Sequence, residues 1–312
     1  MAAAIFRTLL AIARPRLARF GWVPATQVAI LEMSAASGLA WVQDLPPQPA
    51  RASTFGTGEM LLAAAACGAS QIIIGIGGSA TNDGGLGVAV ALGWRFFRAD
   101  GSAFQPTLET ILEAVRLERP TTPPPKILVA CDVDNPLLGP RGATRVYGPQ
   151  KGVQDFAWFE ARLAHLAHLA SAANGRDLQD QPGAGAAGGL GFGLMAFAGG
   201  QLTSGFALVS AQVGLAERIR QADLVLTGEG RLDEQSLQGK GPVGVAQLAK
   251  SLGKKVVGVA GSVTDAPGLR DCFDLLIGIK PADMPLPEAM RRTDELIGRA
   301  LLAHADELRA LR

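Results

Sequence analysis

Residues 72–85 read Ile72-Ile73-Ile74-Gly75-Ile76-Gly77-Gly78-Ser79-Ala80-Thr81-Asn82-Asp83-Gly84-Gly85, an apolar run opening onto a glycine-rich polar turn. The pattern recurs at Asp223-Leu224-Val225-Leu226-Thr227-Gly228-Glu229-Gly230-Arg231-Leu232-Asp233. Glycines let backbone N–H groups approach an anion with no Cβ in the way, and a following helix points its positive end at the same spot. Each turn is therefore expected to face a phosphate or a nucleotide.

Outward from the first turn, the spacing predicts a strand over 26–33 and a proline-containing loop over 45–49. A helix over 58–67 follows, with Thr57 placed to cap it, Glu59 in its first turn and Gly68 to close it. Strand 71–76 leads into the turn, and a helix over 86–92 leaves it. Pro120, Pro123, Pro124 and Pro125 then break the chain before a strand at 126–131. A helix over 155–172 carries the stripe Phe156, Phe159, Leu163, Leu166 and Ala170. The run Gly183–Gly191 is nearly all Gly and Ala, without the serines of a flexible linker, which favours tight backbone packing or ligand approach. From residue 214 the pattern is regular: helix 214–220, strand 223–227, helix 242–252, strands 255–260 and 274–279, and a long helix 287–310. Alternating strands and helices predict parallel sheets with covered faces, and ligands at the carboxyl ends of their strands, where both turns lie.

At 312 residues and 48% hydrophobic, the chain can bury a large core and divide into two domains or lobes. With 29 basic and 28 acidic residues and no long charge block, neither a nucleic-acid surface nor an anionic membrane surface is expected. No apolar stretch reaches the roughly 18 residues of a membrane span. Cys67, Cys131 and Cys272 lack metal-ligand spacing and suit reduced thiols in the cytoplasm, and three histidines are too scattered for a metal site. The first 31 residues contain no acid and carry Arg7, Arg14, Arg16 and Arg19. The absence of serine there argues against an organelle-targeting peptide, and Arg7 interrupts the apolar run a secretory signal needs.

Gly75-x-Gly77-x-x-Ala80 matches the dinucleotide fingerprint, so an NAD(P)-dependent hydroxy-acid dehydrogenase is a rival reading. Against it, Thr81–Gly85 prolongs a polar loop where a helix should begin, and no strand ending in an acid follows about 20 residues on. Neither a Walker A motif nor a GxSxG elbow occurs. What remains is carboxylates at strand ends (Asp83, Asp132, Asp134, Glu229, Asp233) with cations (Arg141, Lys151, Arg231, Lys240). Phosphoryl transfer needs that combination: carboxylates to hold Mg²⁺ and orient the hydroxyl, fixed positive charge for the transferring group.

At these residues the chain resembles the type-1 family of glycerate kinases. The resemblance starts at Gly21-Trp22 and Ile30–Leu39 and runs through Gly56–Glu59, Gly75–Gly85, Cys131–Leu137, Gly148–Gly152, Gly183–Gly191 and Thr227–Asp233. It implies ATP-dependent phosphorylation of D-glycerate, with the 2-phosphate as the expected product, ATP and Mg²⁺ as cofactors, and homo-oligomers left open. It implies an α/β fold of two lobes with the active site in the cleft between them. One would be a parallel Rossmann/flavodoxin-like sheet domain from 1–85 and 215–312, the other a second α/β lobe from 86–214. Gly77, Gly78 and Ser79 would cradle one anion, either a nucleotide phosphate or the glycerate carboxylate, with Thr81, Asn82, Asp83 and Lys151 also on the substrate or phosphate. Asp132 and Asp134 would be the metal-facing or base-like carboxylates. Glu229, Arg231 and Asp233 would form the other wall, with Lys240 neutralising phosphate charge. The family's opening segments, resembling Pro-Asp-Ser-Phe-Lys-Gly and Ala-Asp-Gly-Gly-Glu-Gly-Thr, have no counterpart here. A truncated or misassigned start is therefore expected, with sheet edges left unpaired; a non-catalytic remnant of the kinase is the third reading.

Overall fold

The computed structural model describes residues 2–10, 14–238, 241–264 and 266–312. Two compact units result, Met1–Gly205 and Phe206–Arg312. This division differs from the expected partition at 85 and 214, because strand Gln71–Gly75 and strand Lys126–Ala130 pair in one sheet.

The first unit is built on a six-stranded sheet. Its strands are β1 (Ala2–Leu10), β2 (Arg14–Val23), β3 (Val28–Glu32), β4 (Gln71–Gly75), β8 (Lys126–Ala130) and β9 (Gln201–Thr203), in the order β1-β2-β3-β4-β8-β9. Between β4 and β8 the chain adds a small antiparallel sheet of β5 (Arg95–Phe97), β6 (Ala103–Phe104) and β7 (Arg116–Glu118). In the large sheet β1 to β3 run antiparallel, and β3, β4, β8 and β9 are parallel. Ile72, Ile73 and Ile74 are consecutive and all buried, as a strand covered on both faces requires. Each such side chain contributes about 2 kcal/mol by leaving water.

Helices cover this sheet. Phe55–Ala66 begins three residues before the expected start, with Thr54 rather than Thr57 at the N-cap position; Thr57 lies inside the helix and its hydroxyl bonds Ser37 Oγ at 3.0 Å. Phe156–Asn174 matches expectation: the Asp155 side chain accepts from the Trp158 amide at 2.9 Å, and Gly175 closes the helix. Helix Ala186–Ala198 is kinked, with left-handed backbone at Ala187, Gly188 and Gly189. There the Gly/Ala run packs directly on the first glycine turn: Gly84 N–H donates to Gly188 O at 3.1 Å. Tight backbone packing, one of the two expectations for this run, is what the structure shows.

The second unit carries a parallel sheet of β10 (Val225–Leu232), β11 (Val256–Val263) and β12 (Leu275–Gly278), in that order. Its core packs Leu232, Val243, Ala246, Val256 and Leu269. Two expectations are corrected here. Gly228–Leu232 is not a turn but the continuation of β10, paired from Gly228↔Val259 to Leu232↔Val263. Gly228 is needed because a Cβ there would collide with the Val259 carbonyl oxygen. The long helix of 287–310 is three helices, Leu286–Arg291, Thr293–Ala303 and Ala305–Ala310, separated at Arg292 and His304 with no glycine or proline at either break.

Candidate active site

In the first unit, β4 and β8 end side by side, so the loops after Gly75 and Ala130 emerge together at their carboxyl ends. They border a cavity of about 380 Å³ lined by Gly77, Gly78, Ser79, Cys131, Asp132 and Tyr147, among others. The loop after β4 is fixed by short contacts. Leu39 N–H donates to Gly78 O at 2.8 Å and Ala80 N–H to Ser37 O at 2.9 Å. Gly78 adopts φ +69°, a left-handed conformation that suits glycine. Among the described residues the amides of Gly77, Gly78 and Ser79 meet no protein acceptor, so three successive donors are available to an anion in the cavity. The next helix, Leu86–Ala91, starts six residues beyond Ala80, not directly at the turn as a dinucleotide fingerprint requires.

The remaining polar residues of this loop turn inward. Asp83, 2% exposed, accepts from Thr54 N–H at 2.8 Å, Thr54 Oγ1 at 2.9 Å, and the amides of Gly85 and Gly87 at 3.2 Å each. Burial pushes its carboxyl above the usual range while those donors pull it back. Asp83 thus pins the loop to the start of helix Phe55–Ala66 and does not border the glycine-turn cavity. Asn82 Nδ2 donates to Thr144 Oγ1 at 3.0 Å; Asn82 Oδ1 and Thr81 Oγ1 are buried without a protein partner. Lys151 is buried as well, its ammonium donating to Ser79 Oγ at 2.7 Å and to Thr81 O at 2.6 Å. Asp83→Asn keeps the shape but sets an amide NH₂ against a backbone donor. It is expected to cost about 2 kcal/mol, read as a lower urea midpoint; an unchanged midpoint would deny the clamp.

On the β8 side, Asp132 is exposed and accepts from Gly205 N–H at 2.8 Å and Ser204 Oγ at 3.2 Å, both on Oδ1. Asp134 forms a two-pronged pair with Arg141, 2.9 Å to each oxygen. Tyr147 OH donates to Asn135 Oδ1 at 2.6 Å, and Asn135 Nδ2 donates to Arg141 O at 2.8 Å, so the segment after β8 is braced at both ends. Tyr147, Asn135 and Thr54 were not among the expected site residues. The only signal for Thr54 is Ser53-Thr54 just ahead of the helix, a capping pair.

Glu229, Arg231 and Asp233 belong to the second unit. Glu229 and Arg231 line an apolar cavity of about 940 Å³ at the carboxyl ends of β10 and β11. Ser236 Oγ donates to Glu229 Oε1 at 2.6 Å, and Arg231 Nε lies 3.1 Å from Asp233 Oδ2. Lys240 lies outside the described residues. Among the described residues no group of three or more His, Cys, Asp or Glu side chains could hold a metal ion, and no helix is long and apolar enough to cross a membrane.

Free amides beside an exposed carboxylate at parallel strand ends suit an enzyme that handles phosphoryl groups, and the comparisons with known proteins place the chain among the kinases. A sequence profile described as "Glycerate kinase family" matches residues 6–307, and the chain belongs to that family. It is 41% identical over 293 residues to the glycerate kinase of Halalkalibacterium halodurans, covering 91% of this chain and 77% of that protein. It is 44% identical over 283 residues to the glycerate 2-kinase of Escherichia coli K12, covering 88% and 74%. A crystal structure of a candidate glycerate kinase 2 from Salmonella typhimurium LT2 superposes with a TM-score of 0.83 at 35% identity, covering 99% of this chain and 83% of that one.

Proposed function

We propose that the protein transfers the terminal phosphoryl group of ATP to D-glycerate, giving 2-phosphoglycerate. The observation that carries this reading is the turn of three unpaired amides, Gly77, Gly78 and Ser79, on the same cavity as the exposed carboxylate of Asp132. The turn binds an oxyanion of one of the two substrates. Asp132 is held on one side by Gly205 N–H and Ser204, and it orients the acceptor hydroxyl and takes its proton. The name of the Escherichia coli relative supports the 2-hydroxyl as acceptor.

Mg²⁺ takes oxygen ligands from one or two carboxylates and completes its shell with water and phosphate oxygens, so it fits a site without a dedicated cage. Asp134 has the right chemistry to hold it. Its pair with Arg141 is exposed on both sides, at 74% and 68%, and opening such a pair costs no more than about 1 kcal/mol. The ion would neutralise charge on the phosphates.

A coupled assay for ADP release, run with and without D-glycerate, tests the proposal. ADP release that depends on D-glycerate supports it; ADP release indifferent to D-glycerate, or none, rejects it.

A further inference from the structure

Among the residues whose burial is described, Lys151 is the only buried lysine or arginine, at 4% exposure. It ends the short turn Pro149–Lys151, and its two hydrogen bonds grip the glycine turn at Ser79 Oγ and at the Thr81 carbonyl, on either side of Ala80. Lys151 does not border the cavity lined by Gly77, Gly78 and Ser79; it borders a neighbouring one of about 230 Å³ with Leu39, Pro47 and Ala80. It therefore acts on the first cavity only through the turn it grips.

We infer that Lys151 is a positioning residue and the charge behind an oxyanion turn, so that the Gly77–Ser79 amides bind an oxyanion at full strength only while the Lys151 ammonium is protonated. This rests on the reading of the turn as an oxyanion site. A full positive charge one hydrogen bond behind Ser79 strengthens an anion's attraction to the three amides, and a neutral amine withdraws it. Burial pushes the Lys151 ammonium from 10.5 down to about 7, against the pull of the Asp83 carboxylate, which puts the change of charge near neutral pH. Asp83 is the acid facing it from the loop after β4. The residues lining the neighbouring cavity from Leu39 to Ala52 bring no ionisable side chain. On the oxyanion cavity, Asp132 is the carboxylate, and Cys131 and Tyr147 are pushed upward by burial, from 9.0 and 10.0, out of the neutral range. By linkage, an oxyanion bound at neutral pH draws a proton onto Lys151.

The shared ligand chemistry is an oxyanion, either the carboxylate of a hydroxy acid or a phosphate. D-glycerate serves as the probe for the first and sulfate, which does not titrate in this range, for the second. Each is titrated into the full chain at pH 6.0 and at pH 8.5, with the ¹⁵N-amide shifts of Gly77, Gly78 and Ser79 as the readout. At least one probe is expected to bind roughly tenfold more tightly at the lower pH. Lys151→Arg keeps the charge and flattens the pH dependence; Lys151→Met binds weakly at both values. Equal wild-type affinity at the two pH values overturns the inference, as does a Lys151→Met chain with the wild-type dependence. If neither probe moves these amides at either pH, the oxyanion reading fails and the inference with it. The wild-type comparison decides even if a variant does not fold.

Discussion

Gly188→Ala is expected to destabilise the first unit by about 3 kcal/mol or more, lowering its Tm by roughly 6–12 °C. Two costs add. Gly188 sits at φ +71°, where an L side chain is strained by roughly 1–2 kcal/mol. A Cβ there would also strike the Thr81 carbonyl and come within 2.7 Å of Asn82 Cα, both backbone of the glycine turn, so no rotamer change relieves the contact. Gly199→Ala separates the two costs, since Gly199 has φ +65° and nothing within 4 Å of its hypothetical Cβ. That variant is expected to lose only the conformational share, about 1 kcal/mol. Equal losses in the two variants would mean that Gly188 is required by its dihedral angles alone and that the packing of 183–191 onto the turn adds nothing.

Asp132→Asn is expected to lower kcat by about 10³-fold and leave Tm within about 1 °C of wild type. The asparagine carbonyl still accepts from Gly205 N–H and Ser204 Oγ, the two contacts that hold Asp132 in place. What disappears is the charge and the ability to take the proton of the acceptor hydroxyl. A kcat within threefold of wild type would make Asp132 a loop residue that serves only to hold Gly205.

Much of the fold was legible where one physical signal dominated. Ile72–Ile74 and Lys126–Ala130 are short apolar runs ended by glycine or acid, and both are central parallel strands. Helix Phe156–Asn174 declared itself by its stripe, by Asp155 at its start and by Gly175 at its end. Strand β10 was legible only in its first half, because glycines at 228 and 230 erase the alternation that marks a strand. The cause at Gly228, the approach of the Val259 carbonyl of β11, is a tertiary fact with no local signature. The three-residue strands Arg95–Phe97, Arg116–Glu118 and Gln201–Thr203 are too short for any period to show.

For the site, residue types were easier to read than directions. The glycine turn and Asp132 do meet on one cavity. Asp83, on the same polar turn, has the chemistry of a ligand, yet four donors from Thr54, Gly85 and Gly87 draw it into the interior. The burial of Lys151 depends likewise on Ser79 and Thr81, some 70 residues away, and sequence spacing carries no trace of it.

Phosphoryl transfer to D-glycerate is tested most directly by ³¹P NMR of a mixture of the protein, ATP, Mg²⁺ and D-glycerate. The 2-phosphoglycerate resonance is expected to grow in step with ADP and to be absent when D-glycerate is withheld. Free inorganic phosphate as the sole product, or no turnover of ATP in the presence of D-glycerate, would contradict that transfer.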